Sequence, residues 1–180
     1  MFPKAHAAAY VMMAWRIAYC KINYPLAYYA AFFSIRASGF SYELMCQGQQ
    51  HLESVMADYK RRSDELSKKE QDSYRDMKIV QEMYARGFEF EPINLFSAQA
   101  RLFQVSGVNK LMPSLSSIDG LGEKAADAVV EAAKNGPFLS KEDFRERTKV
   151  SLTVTELMDR LGILGDLPES NQISLFDFAI

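Results

Sequence analysis

Nine consecutive residues have types and spacing suited to binding a phosphate through the main chain; they are Ile118, Asp119, Gly120, Leu121, Gly122, Glu123, Lys124, Ala125 and Ala126. Gly120 and Gly122 permit positive φ and omit a Cβ that would hinder close approach, while Leu121 points inward and pins the turn. A tight turn that opens a helix at Glu123 and Lys124 directs free N–H groups and the positive end of the helix dipole outward. These groups suit a phosphate oxygen and do not distinguish bases.

The pattern is that of a helix-hairpin-helix, and it predicts a grip on a nucleic-acid backbone that is independent of sequence. The alternative is an ordinary turn between two helices that happens to contain two glycines. Composition limits the first interpretation. With a net charge of −2 and a pI of about 5.8, the chain has no global basic field to draw it onto DNA, so any such contact is local or part of a larger assembly.

The composition is that of an ordinary globular protein, with 180 residues, 48% hydrophobic and 24% charged, enough for one good core or two small ones. Cys20 and Cys46 are isolated and have no nearby histidine partners, which argues against a zinc site and a disulfide framework. A reducing, cytoplasmic location fits best. The apolar stretch 7–33 is interrupted by Arg16 and Lys21, so we expect a buried helical hairpin and no membrane partner.

The first half of the chain predicts helices throughout. One covers 5–23, is apolar on nearly every side and lacks a capping residue, which implies a missing neighbour. A second covers 25–37, and a long charged helical region begins at Ser41 and ends at Gly87. It carries an apolar stripe at Leu52, Val55, Met56 and Tyr59. On the following helix, a stripe that is only partly apolar is predicted at Tyr74, Met77, Gln81 and Tyr84.

The second half changes pattern. Alternation over 88–91 and a short strand over 100–105, followed by Gly107, predict a small β-hairpin. Helices are then expected over 123–134, from the cap pair Ser140 and Asp143, and over 153–161, in a four-helix module of about fifty residues.

The last residues, 166–180, carry acidic side chains without lysine or arginine, and we expect a flexible tail. Within it lies a short apolar peptide of the kind that enters a partner's pocket: Gln172, Ile173, Ser174, Leu175 and Phe176. The alternative is that the tail folds back onto its own core.

Together with the hairpin and the tail, three further stretches resemble the C-terminal end of the PolC-type replicative DNA polymerase III α subunit of low-GC Gram-positive bacteria. They are Phe-Pro-Lys-Ala-His-Ala-Ala-Ala-Tyr at 2–10, Tyr-Pro-Leu-Ala-Tyr-Tyr-Ala-Ala at 24–31 and Gly-Pro-Phe-Leu-Ser-Lys-Glu-Asp at 136–143. The resemblance covers essentially the whole chain in the family's order. It implies a mainly α fold, in which a helical fingers-type segment precedes a small β-hairpin and a helix-hairpin-helix module with a flexible C-terminal tail.

The resemblance also implies a division of the chain. Residues 1–90 correspond to the late part of the fingers domain, 91–165 to a duplex-binding domain, and 166–180 to a tail with a sliding-clamp peptide at 172–176. Ile173 stands where the family usually has leucine, a mild departure because the side chain stays apolar and similar in size. The implied partners are duplex DNA, the sliding clamp and the remainder of the polymerase.

By the same resemblance, Lys4 and His6 lie near the nucleotide, where a cation stabilises charge growing on the leaving group. A lysine and a histidine at a helix start are otherwise common surface caps. Polymerases of this class hold two Mg²⁺ ions with palm aspartates, commonly as Asp-x-Asp, and this sequence has no Asp-x-Asp. We therefore expect no catalytic residue and no bound metal here, with Mg²⁺ held by a palm that precedes Met1. Alone, the chain should be inactive, as a fragment or a separately encoded end of a polymerase.

Two other functions compete with this one. The first is a freestanding helix-hairpin-helix adaptor without catalytic activity. An in-frame coding sequence upstream of Met1 that contains a palm would rule it out. The second is an accessory domain of a nuclease or glycosylase, which explains neither the tail nor the opening motif.

Overall fold

The computed structural model describes residues 3–171, and within them helices dominate, as the sequence predicts. The α-helices are α1 Lys4–Asn23, α2 Pro25–Ile35, α3 Tyr42–Met45, α4 Gln49–Arg61, α5 Lys68–Ala85, α6 Glu123–Lys134, α7 Lys141–Thr148 and α8 Leu152–Arg160. Two 3₁₀ turns cover Ser63–Glu65 and Leu115–Ser117, and three short strands are β1 Glu89–Phe90, β2 Gln104–Val105 and β3 Lys110–Met112. The peptide predicted at 172–176 lies outside the described residues.

Helix starts follow local capping chemistry. Pro25 opens α2 at its first turn, and Ser67 and Glu70 form a reciprocal capping box at α5. The long charged region consists of the three α-helices α3, α4 and α5. Ser41 caps only the short α3, and the chain then turns through Gly48 at φ 95° before α4 begins, a conformation that glycine adopts without strain.

The buried helical hairpin expected over 7–33 is only half correct. In α2, Tyr29 and Phe33 are buried, but α1 contains no buried residue, and its Trp15 and Ile22 are 74% and 71% exposed. Near its C-terminal end, α1 is tied to α5 by a 2.6 Å ion pair between Lys21 and Glu82. Between residues 3 and 171, no helix is long and apolar enough to cross a membrane.

The strands form a three-stranded sheet in the order β1-β3-β2. β2 and β3 are antiparallel, with Gln104 opposite Met112, while β1 runs parallel to β3, with Glu89 opposite Lys110. The predicted hairpin exists but joins β2 to β3. The segment at 88–91 instead adds a strand to the far edge of β3, a non-local pairing that alternation alone does not reveal.

Two hydrophobic clusters hold the elements together. The first packs α2, α3, α4 and α5 against the sheet, with Leu111 contributed by β3 and Phe103 by the residue directly before β2. The second surrounds α6, α7 and α8, and it includes Tyr42 from α3. Helix α3 therefore contributes to both clusters, through Met45 to the first and Tyr42 to the second. In α5 the buried stripe includes Val80 and Met83 rather than the predicted Gln81, which is exposed.

A close backbone contact fixes the loop between α2 and α3 on α5. A Cβ on Gly39 would lie 2.3 Å from the Ser73 nitrogen, so only glycine fits there. The buried Asp76 carboxylate accepts hydrogen bonds from the Ser38 and Gly39 N–H groups, at 3.0 and 2.8 Å, and the Ser73 hydroxyl donates to the Gly39 carbonyl. Because this loop leads into Ser41, the contact also positions the start of α3.

Gly39→Ala should lower the free energy of unfolding by about 1–3 kcal/mol, because the added methyl must push the α5 backbone away. Gly107→Ala is the matched control, since a Cβ there meets only the Lys110 side chain at an ordinary 3.6 Å. Denaturant unfolding of both variants measures the difference. Equal stability of the two would show that the loop does not depend on this contact.

Candidate nucleic-acid interface

The predicted hairpin turn is held in place by two buried side chains. Ile118 and Leu121 are nearly fully buried in the second hydrophobic cluster, and the Leu121 N–H donates to the Ile118 carbonyl at 3.0 Å. The 3₁₀ turn Leu115–Ser117 leads into the hairpin turn, and α6 follows it. The first helix of the predicted four-helix module is therefore only this 3₁₀ turn. Leu121 pins the turn, as the sequence predicts.

The two glycines of the turn have different roles. Gly120 has φ +82°, where only glycine is unstrained, whereas Gly122 has φ −65° and ψ 160°, a conformation open to any residue. Of the two glycines of this turn, only Gly120 has positive φ. A Cβ on Gly122 would meet no protein atom within 4 Å. The absence of a side chain there instead leaves open space in front of α6.

That open space faces an uncapped helix start. Gly122 is the N-cap of α6 and provides no side chain to accept from the first N–H groups, whereas serines cap α5, α7 and α8. Gly122, Glu123 and Lys124 are all exposed. Orphan N–H donors with the helix dipole behind them attract an anion, and backbone donors fit any phosphate.

The acidic side chains around this turn are tied to partners. Glu123 forms a 3.2 Å ion pair with Arg101, which also binds Asp127, and Asp119 accepts a hydrogen bond from the Ser41 hydroxyl. Ser41 at the same time caps α3. The contact between Ser41 and Asp119 therefore joins the turn to the helices of the first hydrophobic cluster.

A second turn with the same backbone course lies between α7 and α8 and was not predicted from the sequence. Lys149 has φ +58°, Val150 is buried, and Ser151 caps α8 with φ −66° and ψ 155°, almost the values of Gly122. A Cβ on Gly120 would lie 3.1 Å from Val154 Cγ2, so the two turns are neighbours. The sequence signal for this turn was an apolar residue, Val150, directly before a serine cap. A lysine does not indicate positive φ as a glycine does, so Lys149 gave no such signal.

A cleft of about 590 Å³ lies between the first turn and the loop that precedes α3. Its lining includes both glycines of the turn, hydroxyl groups such as Ser117, the Tyr59 ring and Lys69. This cleft gives access to the start of α6 from the side of α4 and α5.

The remaining predicted site residues lie elsewhere. Lys4 and His6 are exposed in the first turns of α1, where the His6 and Tyr10 rings are 4.5 Å apart, and neither lines the cleft. The structure thus brings together residues 120–124 and leaves Lys4 and His6 on another element. Across residues 3–171, no group of three or more His, Cys, Asp or Glu side chains could hold a metal ion.

Comparison with known proteins agrees with this geometry. Residues 87–173 match a family described as a helix-hairpin-helix motif. DNA polymerase III PolC-type of Streptococcus pneumoniae serotype 2 (strain D39) is 48% identical over 98% of this chain. The chain is homologous to a segment of PolC-type DNA polymerase III. The proteins of the same description from Streptococcus sanguinis (strain SK36) and Streptococcus pyogenes serotype M5 (strain Manfredo) are 48% and 46% identical, each over 98% of this chain.

The chain spans about 12% of the length of these PolC-type relatives. The similarity includes α1 to α5, which precede the residues of the motif match. The family resemblance drawn from the sequence is confirmed, and the helix-hairpin-helix is one part of the homologous segment.

The two glycines of the first turn should respond differently to the same substitution. Gly120→Ser should cost about 1–2 kcal/mol of stability, because a side chain is strained at positive φ and would crowd Val154. Gly122→Ser should change stability by no more than a few tenths of a kcal/mol, since serine is a good N-cap. Thermal unfolding measures both, and a large loss for Gly122→Ser would contradict this description of the turn.

Proposed function

We propose that this chain is the part of a PolC-type DNA polymerase that holds duplex DNA by its phosphates and tethers the enzyme to the sliding clamp. The observation that carries the DNA-binding part is the uncapped start of α6 at Gly122, open to solvent and set beside a second turn of the same backbone course. Two adjacent turns offer main-chain donors to two phosphates.

This arrangement suits a grip that is independent of sequence. The donors are backbone N–H groups, and Gly122 brings no side chain that could reach a base edge. A polymerase must move along every sequence it copies, so contacts limited to phosphates fit such a role. Lys124 and Lys149, exposed at the two turns, add positive charge locally in a chain whose net charge is −2.

Catalysis belongs to the remainder of the polymerase in this proposal. Mg²⁺ and the palm aspartates lie outside this chain, and Lys4 and His6 on α1 approach the nucleotide once the neighbouring parts of the polymerase cover that exposed helix. The alternative of a freestanding adaptor does not account for similarity that extends through α1 to α5, before the hairpin module.

The clamp-binding part of the proposal rests on the sequence of residues 172–176 and on the homology. Leu175 and Phe176 supply the apolar anchors for a pocket on the clamp, and the amide of Gln172 supplies a hydrogen bond. A tether to a ring on DNA raises the effective concentration of the polymerase at the primer end, so a weak peptide contact is sufficient.

Gly122→Asp should weaken binding to duplex DNA by about tenfold or more on every sequence, because the carboxylate would cap α6 and repel the phosphate. Stability should be unchanged, since a Cβ at this position meets no protein atom within 4 Å. Gly107→Asp is the control, with the same charge change at an exposed glycine of the loop between β2 and β3. Fluorescence anisotropy with two unrelated duplexes measures both variants, and equal affinity of Gly122→Asp and Gly107→Asp would refute the phosphate contact.

Replacing Leu175 and Phe176 together with alanine should abolish binding to the sliding clamp while leaving duplex affinity unchanged. The clamp pocket would lose both apolar anchors, at a cost of about 3 kcal/mol or more, which exceeds a hundredfold in affinity. Surface plasmon resonance with the clamp measures the loss. Binding at the original affinity would assign another role to the tail.

A further inference from the structure

The helices around the hairpin give this part of the chain two distinct ends. At one end, the start of α6 and the start of α8 are neighbours, since a Cβ on Gly120 would nearly touch Val154. At the other end, Lys141 at the start of α7 binds Asp159 near the end of α8, with 2.7 Å between Nζ and Oδ2. Nine residues of α8 span about 13 Å between the ends.

The segment after α8 returns to this second end. The Lys141 N–H donates to the Pro168 carbonyl at 2.9 Å, and the Glu142 N–H donates to the Glu169 carbonyl at 3.1 Å. The Ser170 hydroxyl donates to the Glu142 carboxylate at 2.8 Å. The segment that leads to the tail is thus bound along the first turn of α7.

Lys141 joins the two sides of this contact. Its ammonium group binds Glu169 at 2.6 Å as well as Asp159, and its side chain is only 16% exposed. Hydrogen bonds to Asp159 and then to Glu169 raise the pKa of Lys141, so it stays charged at neutral pH. One surface ion pair with an 84% exposed Glu169 would contribute little, but here it is combined with two main-chain hydrogen bonds and with Ser170.

We infer that Lys141 and its contacts with Glu169 hold the segment that leads to the clamp-binding peptide at the end opposite the two DNA-holding turns. The inference rests on the proposed function. It adds that DNA and the clamp bind at separate places, so one chain holds both at once. Ser170, whose hydroxyl donates to the Glu142 carboxylate, is two positions before Gln172.

The anchor should therefore control the length of the tether. When the side-chain contacts of Glu169 and Ser170 are lost, the two main-chain hydrogen bonds to the exposed Pro168 and Glu169 remain, and such exposed bonds open readily. Once they open, the next attachment is Leu167, which packs against the second hydrophobic cluster five positions before Gln172. A tether longer than the span it must bridge lowers the effective concentration of the clamp peptide, roughly as the −3/2 power of its length. Lengthening from two residues to five predicts a decrease of about two- to fourfold.

The test uses the full-length polymerase that carries this segment, with its sliding clamp. Glu169→Ala combined with Ser170→Ala should lower clamp-dependent processivity by about two- to fourfold. Duplex affinity and synthesis without the clamp should stay unchanged, because the two turns are untouched. Asp159→Asn is the matched control, since it removes the ion pair between α7 and α8 and keeps the contacts to the tail segment.

Variants of Lys141 add a second measurement. Lys141→Met should reproduce the processivity loss, and Lys141→Arg should largely restore it, because the charge that binds Glu169 returns. Unchanged processivity in both Lys141→Met and the Glu169/Ser170 variant would overturn this inference alone, provided that the Leu175/Phe176 variant loses clamp binding. If the Leu175/Phe176 variant keeps clamp binding, both this inference and the proposed tether are overturned.

Discussion

The burial of Leu121 in the second hydrophobic cluster is the constraint on which the candidate interface depends. This side chain can enter the core only if the chain reverses sharply at Gly120, and the reversal places Gly122 at the exposed start of α6. Val150 is buried in the same way beside the second turn. Hydrophobic burial thus keeps the polar main-chain groups exposed, so the proposed phosphate contact requires no side chain.

The same constraint gives a chain with negative net charge a local site suited to an anion. The acidic Asp119 and Glu123 are engaged by Ser41 and Arg101, and the N–H groups of α6 supply partial positive charge in front of them. The proposed contact is short in range and independent of base identity. We propose that it contributes one part of a larger DNA-binding surface, since the chain spans about 12% of its PolC-type relatives.

Sequence patterns predicted much of this fold where the signal is local. The bounds of α6, the proline start of α2 and the serine cap of α7 all follow from chemistry within one helical turn. The parallel pairing of β1 with β3 depends on residues distant in sequence, so it could not be predicted. The break at Gly48 had a local signal, a glycine that takes positive φ, and the prediction did not use it. Lys149 was missed because its positive φ is imposed by the fold around Val150 and is not encoded by a glycine.

Hydrogen exchange of the polymerase that carries this segment, with and without a primer–template duplex, tests the central claim most directly. Main-chain N–H groups without partners at the start of α6 exchange rapidly, and a bound phosphate should slow them. The account predicts that the duplex increases protection at residues 120–125 and, to a smaller extent, at 149–153, where Ser151 already caps α8. Unchanged exchange at both turns, with protection confined to other parts of the polymerase, would contradict it.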